Sequence, residues 1–103
     1  MSAFTRLSPI LEQADGMLFF ECPGCNMLHG VNIETDVRPR WGWNGSIDKP
    51  TFTPSVLVRY DWGPERKPMV CHSFVTDGRI QFLADCTHAL AGQTVDLPKL
   101  DVE

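Results

Sequence analysis

Four cysteines fall in two separated groups, Cys22-Pro-Gly-Cys25 and then Cys71-His72 with Cys86-Thr-His88. Thiolates two residues apart on a tight turn can face one metal, and a second pair far along the chain completes a tetrahedral set. Pro23 presets one backbone angle of that turn, and Gly24 removes a side chain where amides must approach a sulfur. The pattern predicts one zinc site that draws together distant parts of the chain. The competing reading, a disulfide-stapled secreted module, fits poorly with the rest of the sequence. The amino end lacks the apolar core of a signal peptide, and the thiols of a cytoplasmic chain stay reduced.

With 103 residues, 43% of them hydrophobic, the chain suits one domain over residues 1–103, near the size where a single core benefits from a staple. A net charge of -4 provides no basic field for phosphate backbones, which argues against nucleic-acid binding. No apolar run approaches the roughly 20 residues that span a bilayer, so neither a membrane partner nor a membrane location is expected. Oligomeric state is not legible.

Eight prolines and eight glycines cut the chain into short segments, and the expected fold is mostly β: antiparallel hairpins, a zinc knuckle and one short helical turn near the C-terminus. Met17 to Cys22 reads as a strand entering the Cys-Pro-Gly-Cys turn, and His29 to Ile33 as the strand leaving it. Ser8-Pro9 opens either a short helix through Ala14 or a strand. Trp41 to Trp43 reads as a strand ending in the Asn44-Gly45 turn. Thr51 to Tyr60 is a further strand with Pro54 at an edge or bulge. Asp77-Gly78 is a strong two-residue turn signal for a hairpin from Met69 to Cys86. Its register pairs Val75 with Ile80, Ser73 with Phe82, Cys71 with Ala84 and Met69 with Cys86. Cys71 and Cys86 then share one face, and His72 and Asp85 the other. Thr87 to Ala91 suits a helical turn before Gly92, and Thr94 to Leu97 a last strand.

Two constellations can carry chemistry. Cys22, Cys25 and Cys71 are the first metal ligands, with Cys86 the fourth by hairpin geometry and His29 or His88 as contenders. Four protein ligands leave no position for water, so the metal would be structural. The second constellation is Ser55, His72 and Asp85. A serine hydroxyl needs an imidazole to take its proton, and the imidazole benefits from a carboxylate that fixes its tautomer. The plain alternative makes Ser55 a solvent-facing strand residue, His72 a hydrogen-bonded sheet histidine and Asp85 a cap for the turn at Thr87. Trp41, Trp43, Phe52, Tyr60 and Trp62 supply either packing or a binding face.

The run of motifs resembles a family of small phage and prophage proteins. It comprises Cys22-Pro-Gly-Cys25, Trp43-Asn-Gly45, Pro50-Thr-Phe-Thr-Pro-Ser55, the stretch from Cys71 to Leu83, and Asp85-Cys-Thr-His-Ala-Leu-Ala-Gly-Gln-Thr-Val95, and the likeness covers roughly residues 17 to 98. Those proteins resemble in turn the BubE-type serine peptidases of bacterial ubiquitin-like conjugation operons, which carry a cysteine-bound zinc. The resemblance implies metal binding by Cys22, Cys25 and Cys71 and a nucleophile at Ser55. It implies a base at His72 or His88, and it allows serine at the Cys86 position, which would move the fourth ligand to a histidine. By fold analogy it points to a zinc-stabilised serine hydrolase or peptidase in the bacterial cytoplasm, acting on a peptide or protein. The alternative is a non-catalytic phage accessory or host-takeover protein that binds a host or virion protein.

Overall fold

Two Asp-Gly dipeptides set the tightest hairpins. Asp15-Gly16 and Asp77-Gly78 all have positive φ, between 52° and 77°, the backbone that a two-residue turn needs to match the strand twist. The computed structural model describes residues 4–34, 36 and 38–100 as an all-β protein. Its strands are β1 (Thr5–Ser8), β2 (Leu11–Ala14), β3 (Met17–Cys22), β4 (Met27–Asn32), β5 (Gly42–Trp43), β6 (Phe52–Trp62), β7 (Lys67–Thr76), β8 (Arg79–Phe82) and β9 (Thr94–Asp96). They form two antiparallel sheets, β1-β2-β3-β4 and β5-β6-β7-β8-β9, with neighbours in sequence paired throughout. The expected mostly-β class therefore holds.

Alternation along the strands decides what the sheets bury. In β3 every second residue, Leu18, Phe20 and Cys22, is buried, and β4 answers with His29 and Val31. The second sheet turns Phe52, Val56, Cys71, Val75, Ile80 and Phe82 into the same cluster. Phe20 and Phe52 stack across the layers with centroids 6.1 Å apart, so one core serves both sheets.

Two expectations need correction, and one left open is settled. Of the two readings for Ser8 to Ala14 the strand holds: the Ser8 hydroxyl accepts from the Ile10 amide at 3.3 Å and donates to the Ile47 carbonyl at 2.7 Å, fixing the β1–β2 turn. Asp15-Gly16 was the available sign that residues 5–20 are hairpins. The helical turn near residue 88 is a pair of successive reverse turns, closed by Ala91 N–H to His88 O and Gln93 N–H to Leu90 O. The β7–β8 register is as expected from Thr76↔Arg79 to Ser73↔Phe82, but the ladder stops there. Residues 83–86 turn away instead of pairing Cys71 with Ala84, as the bond from Cys86 N–H to Leu83 O shows.

Candidate metal cluster and Ser-His-Asp site

The Cys-Pro-Gly-Cys segment is the β3–β4 turn. Asn26 N–H returns to Cys22 O at 2.8 Å, and Cys25 N–H points at Cys22 Sγ at 3.4 Å, so the loop wraps its amides around a sulfur. His29 follows on β4, cross-strand from Phe20 and facing inward. Cys71 arrives from β7 in the opposite sheet, with its sulfur 3.6 Å from that of Cys22. The donor atoms of Cys22, Cys25, His29 and Cys71 all lie within 4.8 Å of one another.

The chemistry of this quartet fits a metal. His29 Nε2 is buried with no hydrogen-bond partner among the described residues, a costly state for an imidazole nitrogen unless it has a ligand. The three thiols cannot ionise together unaided. The Cys71 thiol, donating to Cys22, lowers Cys22 to about 4, while the same contact and burial push Cys71 far up, and burial raises Cys25. A cation would relieve all three at once. Tyr60 closes the cluster from β6, its phenol pushed up to about 12 by burial and by the Cys25 thiol.

Cys86, expected as the fourth ligand, is outside this quartet. Its thiol accepts from His72 N–H and donates to His72 O, both at 3.2 Å, replacing the ladder where β8 has ended. A second possible grouping, Cys71, Cys86 and His88, offers only three donors. His88 Nδ1 accepts the Leu90 amide at 3.2 Å, which leaves the proton on Nε2, and Nε2 faces Cys71 Sγ at 3.5 Å. The imidazole therefore donates to a sulfur. Its ring stands edge-on to Phe82 and fills the space that a Cβ on Gly24 would need. Gly24 is small for His88, a reason the turn sequence alone does not reveal.

One residue beyond Cys71, the chain turns its side chain to the other face. β6 carries two extra residues between Phe52, opposite Val75, and Val56, opposite Ser73, a bulge that contains Pro54 and Ser55. Beyond it Leu57 pairs with His72, so Ser55 and His72 are neighbours on the outward face. Ser55 Oγ donates to His72 Nε2 at 2.9 Å, and His72 Nδ1–H donates to Asp85 Oδ2 at 3.1 Å. Asp85 gets there through the 83–86 turn that Cys86 anchors, and not through strand alternation. His72 is partly covered, its side chain 24% exposed, whereas Asp85 is 56% exposed. His88 faces the Cys71 sulfur, and no hydrogen bond links it to Ser55 among the described residues.

A hydroxyl, an imidazole and a carboxylate in series on a β scaffold form the side-chain constellation of serine hydrolases. Residues 5–83 match the family model described as bacterial ubiquitination-like system serine protease (BubE). The match spans most of the chain, which belongs to that family. No curated protein and no solved structure matches it. Among the described residues no helix is long and apolar enough to cross a membrane.

Proposed function

We propose that this protein is a serine peptidase whose fold is held by one structural zinc ion. The observation that carries the reading is the 2.9 Å contact between Ser55 Oγ and His72 Nε2, with Asp85 on the far nitrogen. Ser55 Oγ attacks the scissile carbonyl carbon as its proton passes to His72 Nε2, and Asp85 holds the Nδ1–H tautomer and stabilises the imidazolium. The same proton then goes to the leaving amine. Water, deprotonated by His72, cleaves the acyl-serine and restores Ser55. Cys22, Cys25, His29 and Cys71 hold the zinc; with four protein ligands it supplies a cross-link and no open position. The family name supports a protein or peptide substrate within a ubiquitin-like conjugation system.

The test is covalent. A serine-reactive phosphonate should add to Ser55 of folded, zinc-loaded protein, as read by mass spectrometry, and Ser55→Ala should abolish the adduct without loss of zinc. Folded protein that stays unlabelled favours the non-catalytic reading. That alternative draws on the likeness to phage proteins and on Trp62, which is 64% exposed next to the β6–β7 turn and offers a contact for a partner protein.

A further inference from the structure

The strand that bears Ser55 has an open side. β5 is two residues long and pairs with β6 only at Phe52 and Thr53, so from Pro54 to Trp62 no described strand covers that edge. Which backbone groups face it follows from β7. Val70 O accepts Thr87 N–H, Val70 N–H donates to Thr87 Oγ1, His72 O accepts Leu83 N–H, and His72 N–H donates to Cys86 Sγ. The polar groups of Val70 and His72 therefore point away from β6. Their antiparallel partners, Arg59 and Leu57, belong to non-hydrogen-bonded pairs and point theirs out to the free edge. The next such pair is Asp61 and Pro68, and Pro68 has no N–H to offer in any case. Leu57, Arg59 and Asp61 thus present alternating donors and acceptors to solvent.

Native sheets usually cover or blunt such a row, because it is a template for another strand. Here it ends at the nucleophile. Trp41 Nε1–H donates to Ser55 O at 3.2 Å and closes the edge at that end. Ser55 then stands with His72 on one side and the open edge on the other, so a carbonyl delivered along the edge approaches Oγ opposite its base. On the same outward face, Arg59, Asp61, Pro68 and Val70 line most of an open cavity of about 400 Å³, within reach of a side chain further along an added strand.

We propose that the substrate is an unfolded, extended peptide segment that adds as a strand to the outer edge of β6, pairing with Leu57, Arg59 and Asp61 through its main chain. This rests on the peptidase reading above. Recognition then depends on alternate backbone amides of the substrate, and a folded or proline-interrupted segment is excluded. A tryptic digest of a bacterial lysate, incubated with zinc-loaded protein and read by mass spectrometry, identifies cleaved peptides. Arg59→Pro deletes one edge donor without touching the β6–β7 ladder; it should still react with the phosphonate at Ser55 but cleave the digest at least tenfold more slowly. Single N-methylation along the best-cleaved peptide should block cleavage at every second amide, a readout that does not depend on how the variant folds. Cleavage undiminished in folded Arg59→Pro, an N-methyl scan without two-residue periodicity, or a labelled enzyme that cuts no peptide in the digest would overturn the edge and leave the nucleophile standing. An unlabelled Ser55 would sink the peptidase reading and the edge with it.

Discussion

In the proposed account, single residues divide between holding a metal and holding a proton. His29→Ala should cost most of the bound zinc, because the quartet drops to three donors. Cys86→Ser should keep the zinc, since its thiol serves His72's backbone and a hydroxyl can make the same two bonds. Elemental analysis of both variants decides between them; zinc lost from Cys86→Ser and kept in His29→Ala would restore Cys86 as a ligand. Hairpin register favoured Cys86 because it ran β8 on to residue 86. The strand stops at Phe82, and the reason is a tertiary one: Phe82 N–H and O are taken by the 92–93 segment, and Cys86 fills the vacant place beside His72. His29 was within reach of sequence reasoning, lying four residues past Cys25. What the sequence could not show was its burial beside Phe20 with an unpaired nitrogen.

At the scale of elements, the 83–86 turn matters most. Cys86→Ala removes the thiol, leaving His72 N–H without its partner and His72 O with the Leu83 amide alone, at a cost of about 1–3 kcal/mol. The turn then loosens and Asp85 departs from His72 Nδ1. The expected outcome is a phosphonate labelling rate down about tenfold with zinc content unchanged, and partial recovery in Cys86→Ser. Equal rates in Cys86→Ala and the parent would show that the turn holds itself. Much of this level was legible: the Asp77-Gly78 turn fixed the upper half of the β7–β8 register, and Pro54 marked the bulge that turns Ser55 outward. The first hairpins were obscured by Ser8-Pro9, which imitates a helix start, although Asp15-Gly16 carried the contrary sign.

In the molecule as a whole, the Cys22, Cys25, His29 and Cys71 group is the junction of the two sheets. Cys22, Cys25 and His29 come from the first sheet and its turn, and Cys71 comes from the second, beside a shared core of modest size. A zinc ion held there, as proposed, would cross-link the sheets and contribute on the order of 10 kcal/mol, more than the roughly 3–5 kcal/mol lost by truncating Phe20 or Phe52. Chelation should therefore lower the melting temperature sharply. Acid should do the same by protonating ligands, because thiolates and neutral imidazole bind metal and their protonated forms do not. Since Cys71 adjoins His72, loss of metal should also abolish Ser55 labelling before the chain has unfolded globally. Stripped protein that melts at the same temperature as loaded protein would refute the coupling.

The central claim is that Ser55 is activated by His72, and the rate of phosphonate addition in two histidine variants tests it most directly. In folded, zinc-loaded protein, His72→Ala should slow labelling of Ser55 by about 10²–10⁴-fold, the usual contribution of a general base. His88→Ala should leave the rate within a few-fold, because its Nε2–H faces Cys71 Sγ and not the serine. Labelling that survives His72→Ala, or that never occurs in the parent protein, would contradict the account.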